Sequence, residues 1–522
     1  MGTRIDGLEG GRRAFLQAIG AGVLANAALV PLAWAAETKT LRAAITGYTV
    51  IGTLDPAVVK SISESMTLWA IFNALVKFDE KMTIVPDLAE SWAVDGNAWT
   101  FKLKKGVKFH DGSEMTADDV KFSLERLRDP KTESPYKSKL DAVASIDIVD
   151  PYTVKITTKE PFAPLLTFLT NTRTGTQIVP RKAVEAMGAK EFGQKPVGTG
   201  PFKFVEYIPG QKIVLEAHKE YFVQSEPKVD RAEIALVAQE TSAVNAILAG
   251  NMDLSSSAPF ADVPALKKNA KIKVSSMVGL NYRYMELNNK QAPFDDVHFR
   301  RAVSMAFDRQ SLVEVVLFGE GAPANGLIPP GIPAAYDTTP RKTNTFDPDA
   351  AKAELKKSKH PASMPVTVVT FGSSWWKRWA EVFVDQVNNT LGTQLKVEVT
   401  DDNGARTRIY ANNIQAAVWG YLGFIDPDEY MYEICHTKGS RNNRGYSNPE
   451  LDKLLEGARR EMDVAKRGAL YKKAEAIVAE DVPVISCFSN NAHNLWAPRV
   501  SGFVPLPYSA FGSQFGGVSL SS

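Results

Sequence analysis

Between Ser91 and Leu127 the hydrophobic pattern changes period twice. Trp99, Phe101 and Leu103 alternate with Thr100, Lys102 and Lys104, the period of a strand with one buried face. Lys105-Gly106 then predicts a turn into Val107 and Phe109, also at period two, so the stretch reads as a half-buried hairpin. His110-Asp111-Gly112 predicts a second turn. Thr116 with Asp119 three residues on is a capping-box start, after which Val120, Leu124 and Leu127 fall at helical spacing. Nothing in this stretch has a catalytic pattern.

The same reading extends along the chain. Leu41 to Thr46 reads as a short buried strand leaving into a loop at 47–55, and a helical segment is expected around Ser65 to Leu75. Residues 130–197 alternate short strands, such as Thr153 to Thr158, with proline-bounded loops. PVGTGPF, from Pro196, is a turn-rich junction rather than a phosphate loop, because no Lys-Ser or Lys-Thr follows and Pro201 removes an amide that a phosphate cradle would use. Thr241 to Leu254 predicts a helix stopped near Gly250, and 279–288 an extended segment followed by one helix from Phe299 to Gly319. Residues 319–348 are rich in Gly and Pro and read as a long irregular loop. Met364 to Gly372 reads as a buried strand. Trp379, Val382, Phe383, Gln386, Val387 and Leu391 then share one helix face, Gly392 caps it, and 395–400 is a second strand. That is a βαβ unit, for which parallel strands and a right-handed crossover are expected. A further strand-to-loop step follows at 414–428, then helices near 449–460 and 465–480, and a strand at Val484 to Phe488.

At 522 residues the chain exceeds what one hydrophobic core organises, so at least two lobes are expected. With 61 basic and 59 acidic residues the formal charge is +2, too weak a field to predict a nucleic-acid or anionic-membrane partner. The N-terminus reads as a targeting segment. Arg12-Arg13-Ala14-Phe15-Leu16 opens an apolar, small-residue run to Ala36, and Ala33-Trp34-Ala35 offers small residues where a signal peptidase cleaves. A signal peptide at 1–35, of twin-arginine type or of the general secretory type, therefore predicts export to the periplasm. No cysteine follows the cleavage site to carry a lipid anchor. Cys435 and Cys487, the two cysteines of the chain, read as small buried hydrophobes without metal or redox spacing, with a disulfide between them as the alternative that an oxidising compartment permits. The six histidines are scattered, with no HExxH and no GxSxG, so no enzyme activity, cofactor or metal is expected.

Several stretches in a fixed order, namely ALVKFDEKMTIVPDLAESW at 74–92, the Ser91–Leu127 stretch, PVGTGPFKFVEY at 196–207 and APFDDVHFRRAVSMAFDR at 292–309, resemble the extracytoplasmic solute-binding proteins of peptide/nickel-type ABC transporters, the dipeptide-, oligopeptide- and nickel-binding proteins of family 5. The resemblance implies an α/β, two-lobed periplasmic-binding-protein fold of type II, joined by a hinge that the chain crosses twice. Lobe I would comprise 36–280 and 489–522, with an extra subdomain at about 90–197, and lobe II 281–488. It implies an ABC-importer binding protein that captures a small-molecule ligand between its lobes, without a cofactor, as a monomer. The partners would be an inner-membrane ABC permease and its ATPase.

Ligands of open α/β sheets bind beyond the carboxyl ends of the strands, here the loops at 47–55, 372–378 and 420–428. Those loops nominate Tyr48, Trp375, Trp376, Trp419 and Tyr421 as ligand-facing aromatics, with Arg283 on the crossing segment and Asp426 as polar candidates. Asp426-Pro427-Asp428 also reads as a turn that starts a helix, and Arg441 and Arg444, in a turn-rich run, as solvated surface, with contact to an anionic ligand as the alternative. Trp379 reads as core. The resemblance implies that peptide-binding relatives hold the ligand's ammonium with an aspartate three residues after the position of Trp419, and its carboxylate with an arginine in the loop matching 370–376. This chain has Leu422 at the first place and no arginine in the second. A buried zwitterion lacking both partners is costly. The expected ligand is therefore a sugar-like, aromatic or opine-like conjugate, with a dipeptide or oligopeptide, or a nickel chelate held with help from His436, as alternatives. A role in presenting the ligand to a membrane sensor is a further alternative.

Overall fold

The computed structural model describes residues 38–521 apart from 173–174, 422 and 508–510. The predicted signal segment at 1–35, with its paired arginines, lies outside the described residues.

One long sheet runs through the chain in the spatial order 394–400, 365–371, 416–421, 273–287, 485–496, 254–255, 40–46, 231–237, 212–217, 202–208, with 321–323 added to 485–496. Each wing has its own core. Leu41, Ile45, Ile213, Leu215 and Ile234 belong to one, and Val366, Val368, Val369, Val418 and Phe383 to the other. The two central strands, Lys273–Leu287 and Ile485–Trp496, are antiparallel and belong to both. Leu280 and Leu495 lie in the first core, whereas Tyr282, Tyr284, Ile485 and Phe488 lie in the second. The chain thus passes from one core to the other along one strand and returns along its partner. The tail completes the first core with Val500, Phe503, Leu506, Phe511, Phe515 and Val518.

Where the two strands pass between cores, their register slips. Met277 pairs with Ala492, and the next pair is Asn281 with Asn490, so residues 278–280 stand against Asn491 alone. A bulge of this kind bends the strand and raises its local twist. Gly279 sits in it, where an added Cβ would lie 2.5 Å from the carbonyl oxygen of Asn490.

The predicted βαβ unit is present. Pro365–Phe371 and Gln394–Thr400 are parallel, the helix Ser374–Leu391 connects them, and Gly392 at φ +69° ends it in the left-handed conformation. Trp379, Phe383 and Val387 are buried on its inner face, as their spacing requires. The helix Ala117–Arg128 also forms where expected. The backbone N–H of Thr116 donates to Asp119 Oδ2 at 2.9 Å, and Val120, Leu124 and Leu127 are fully buried.

Three expectations are corrected. The hairpin partner of Ala98–Leu103 is the preceding strand Ala89–Asp95, and its other edge is taken by Thr153–Thr158, so Val107 and Phe109 find no free ladder. Both are buried without forming a strand, and only Lys108 bridges to Glu114. The single helix expected from Phe299 to Gly319 is two, Val297–Met305 and Arg309–Leu317. Asp308 caps the second by accepting from the Gln310 N–H at 2.9 Å, and the buried Arg309 guanidinium satisfies the carbonyl of Ser304 near the end of the first. The helix expected around Ser65 to Leu75 is Ile62–Ile71, started by a capping box between Ser61 and Glu64.

The PVGTGPF junction is structural. His110 accepts from the Gly198 N–H through Nδ1 at 3.2 Å and lies 3.0 Å from the Gly200 carbonyl through Nε2, while a Cβ on either glycine would collide with the last carbonyl of the Ile62–Ile71 helix, that of Ile71. Gly200→Ala should therefore destabilise the fold by about 1–3 kcal/mol through overpacking against rigid backbone. Urea denaturation of the variant checks this, and an unchanged midpoint would mean that the loop moves aside freely.

Candidate functional site

Arg283 lies on the crossing strand Lys273–Leu287, opposite Gly420 of Ala416–Tyr421 and Phe488 of Ile485–Trp496. Gly420 makes room for it, since a Cβ there would sit 2.7 Å from both Cδ and Nη1 of the arginine. The side chain is 4% exposed. Its Nε donates to Asn490 Oδ1 at 3.2 Å, and its guanidinium carbon stands 5.1 Å from the Trp375 ring centre and 4.9 Å from that of Trp376. Burial pulls its pKa down to about 9, against a smaller opposing pull from the Tyr48 phenol in the loop after Thr40–Thr46.

The tryptophans are held from behind by the second core. Trp375 and Trp376 are 4.4 Å apart between ring centres, and Trp376 lies 4.8 Å from Phe371 and 5.4 Å from the buried Trp379, which in turn meets Phe488 at 5.0 Å. Both are half-buried at the first turn of Ser374–Leu391. Phe260 reaches Trp375 at 6.2 Å and His493 at 5.5 Å. Arg283, Trp375 and Trp376 are thus brought together where the two cores meet, with Tyr48 near enough to act on the arginine's charge.

The other nominated residues stand elsewhere. Trp419 is 3% exposed and stacks on Phe371 at 5.7 Å, a core position. Tyr421 stacks on Phe424 at 4.6 Å and carries the Arg441 guanidinium at 4.6 Å on its ring. Asp426 is corrected from ligand candidate to helix cap. It accepts from the Asp428 N–H at 2.8 Å and from Arg467 at 3.0 Å and 2.5 Å, so both its oxygens are engaged. The reading of Arg444 as solvated surface is overturned, because its side chain is fully buried and bonds Glu286 in bidentate fashion at 2.7 Å and 2.7 Å. Arg441 is half-buried, donating to Glu433 at 2.7 Å. His436 is buried against Tyr432 at 4.0 Å with Glu456 at 3.4 Å. Among the described residues no cluster of three or more His, Cys, Asp or Glu has metal-binding geometry. Cys435 and Cys487 are buried free thiols whose pKa values burial pushes up to about 12.

A second cluster joins the two cores and was not legible beforehand. Lys139, next to the first-core residue Leu140, reaches Glu429 at 2.5 Å and Glu433 at 2.8 Å on the second-core helix Pro427–Cys435, and all three are nearly buried. The ammonium also lies over Phe168 at 4.5 Å. Nearby, the Ala163 N–H donates to the Arg459 carbonyl at 2.8 Å, and Arg459 holds Asp428 at 2.8 Å and 2.7 Å. Sequence offered no cue, since a lysine 290 residues from its partner has no local pattern.

The profile of the bacterial extracellular solute-binding proteins, family 5 Middle, matches residues 83–442. The chain belongs to that family. It is 31% identical over 476 residues to the probable D,D-dipeptide-binding periplasmic protein DdpA of Escherichia coli K12, covering 87% of this chain and 90% of that one. The Helicobacter pylori periplasmic binding protein DppA, solved in complex with the peptide STSA, superposes with a TM-score of 0.81 at 25% identity, covering 93% of this chain and 99% of that chain. The binding protein AgaA of A. tumefaciens R10, solved with agropinic acid, also gives 0.81 at 25%, covering 92% and 99%. This family 5 protein is accordingly the substrate-binding component of an ABC importer, with the two-lobed type II fold, and its family is one of solute binders rather than enzymes. Among the described residues no helix is long and apolar enough to cross a membrane.

Lys139→Met should destabilise the protein by about 3 kcal/mol, because it leaves two carboxylates buried with one cation fewer. Burial opposes the charge on Glu433, but Lys139 and Arg441 outweigh it and hold the pKa down to about 2. Its stabilising contribution is complete above the unfolded carboxylate range, about 4.3, and is lost as the pH falls through about 2. Denaturant titrations between pH 6 and 2 check both. The difference between wild type and variant should narrow toward pH 2, and a constant difference would count against the assignment.

Proposed function

We propose that the protein is exported to the periplasm, losing its first ~35 residues as a signal peptide, acts as a monomer, and carries a sugar- or opine-like organic solute to an inner-membrane ABC permease. Its lobes are 36–280 with 489–522, and 281–488, with the extra subdomain at about 90–197. The solute sits between them, against Tyr48, Arg283, Trp375 and Trp376. The observation that carries this reading is the group formed by Arg283 and the paired indoles, at the point where residues of both cores converge. Indoles offer flat apolar faces that suit the C–H faces of sugars and polyols, and an arginine beside them supplies donors. The likeness to a protein solved with agropinic acid supports it.

A dipeptide ligand is the second reading, favoured by the names of relatives such as the D,D-dipeptide-binding DdpA. Against it stands the lack of an acid three residues after Trp419 and of an arginine at 370–376. A thermal-shift screen of the mature protein against dipeptides, sugars, opines and nickel chelates separates the readings, because a ligand that binds only the native state raises the melting temperature. Shifts with sugar- or opine-type compounds and not with dipeptides are expected. Trp375→Ala and Trp376→Ala should each weaken the best of these by tenfold or more, about 1.4 kcal/mol. Tight dipeptide binding unaffected by either change would overturn the reading.

A further inference from the structure

The buried cations of this protein fall into two groups. Arg444 and Lys139 have carboxylate partners, and Arg300 and Arg309 have backbone ones, the carbonyls of Phe294, Asp481 and Val482 for the first and of Ser304, Asn344 and Ser486 for the second. Arg283 has neither. Among the described residues its Nη1 and Nη2 bond to nothing, and no carboxylate acts on its charge. The indoles cover the guanidinium but offer no conventional acceptor, so its donors stay unmet in a site where burial already depresses its pKa. Asn490 on Nε fixes the orientation and leaves Nη1 and Nη2 without a hydrogen-bond partner among the described residues. A planar two-oxygen acid matches that pair in bidentate fashion.

Building on the proposed cleft site, we infer that the solute is a net anion whose carboxylate is received end-on by Nη1 and Nη2 of Arg283. Neutral sugars lack the charge that completes the site. A neutral zwitterion supplies the carboxylate but also brings an ammonium, which the arginine repels. The class is therefore an acid of net negative charge, such as a sugar acid or an acidic opine, and Arg283 is the residue that sets its charge.

Sodium acetate tests this without knowledge of the full solute. Titrated at constant ionic strength against sodium chloride, acetate should change tryptophan emission saturably and raise the melting temperature, whereas acetamide, its neutral counterpart, should do neither. Arg283→Met should weaken the acetate response at least tenfold, and Arg283→Lys, which keeps the charge but not the fork, severalfold. An acetate response no greater than that of chloride, an equal response to acetamide, or an Arg283→Met protein that responds like wild type would overturn the inference. Should Arg283→Met fail to fold, the acetate–acetamide comparison on wild type decides alone. L-alanyl-L-alanine is titrated in parallel. Tight binding of this dipeptide would overturn the sugar- or opine-like reading while leaving the acetate result to judge the anion site separately.

Discussion

The structure depends on one antiparallel pair, Lys273–Leu287 with Ile485–Trp496. Every other strand of the long sheet is attached to one side of it or the other, and the two cores share no strand besides these. A continuous ladder would make the pair a stiff rod. The slip that leaves 278–280 opposite Asn491 interrupts it at the point where the cores separate. Hinges that absorb a domain rotation need such a place, where a few residues change conformation while the flanking ladders persist. Near it the Asn281 side-chain oxygen is buried without a partner among the described residues, whereas the Glu320 carboxylate is well satisfied. Glu320 accepts from Lys267 at 2.6 Å, Asn491 at 3.3 Å and Ser276, and lies 3.1 Å from His493 Nε2, and these bonds together outweigh burial and hold its carboxyl down to about 2.

Charge placement follows from the same arrangement. Side chains at the boundary between cores are excluded from water by both, so ions there need partners. Lys139 with Glu429 and Glu433 obeys this across the boundary, and Arg444 with Glu286 obeys it within the second core. Separating the cores would exchange the mutual attraction of such a pair for hydration of its ions, two terms of opposite sign. The balance between them depends on how fully each ion is buried, and Lys139, at 5% exposure, sits near the limit.

Much of the architecture was legible in the sequence because it rests on local periodicity. The helix faces at Val120–Leu127 and Trp379–Leu391, the βαβ unit and the Gly392 cap all follow from residues within one or two turns of each other. Errors arose where a long-range competitor decided the outcome. Val107 and Phe109 have strand periodicity, but both edges of their intended partner were already occupied. Arg444 lies in a turn-rich polar run, and Glu286, distant in sequence, with the Ile434 carbonyl, explains its burial. Asp426 had two readings with the same local pattern, and Arg467 on a later helix separates them. Of the nominated aromatics, Tyr48, Trp375 and Trp376 converge because each follows a strand pointing at the same junction, whereas Trp419 turns inward with its strand.

Ligand chemistry is written in this protein less by what is present than by what is left unmet. A folded chain tolerates a buried guanidinium without an acceptor only when the loss is offset elsewhere, by packing against rings or by a bound group. The cation–π contacts of Arg283 with Trp375 and Trp376 supply the first, at roughly 0.5–2 kcal/mol each. These contacts and the Asn490 bond are what the folded chain itself offers the buried cation, and under the proposed reading a bound acid adds to them. An arrangement of this kind links affinity to the order in which the site is assembled. The indoles and Asn490 hold the guanidinium in place before a solute arrives, so an anion gains the attraction without having to order the side chain, and an uncharged solute of the same outline gains only the contact with the rings.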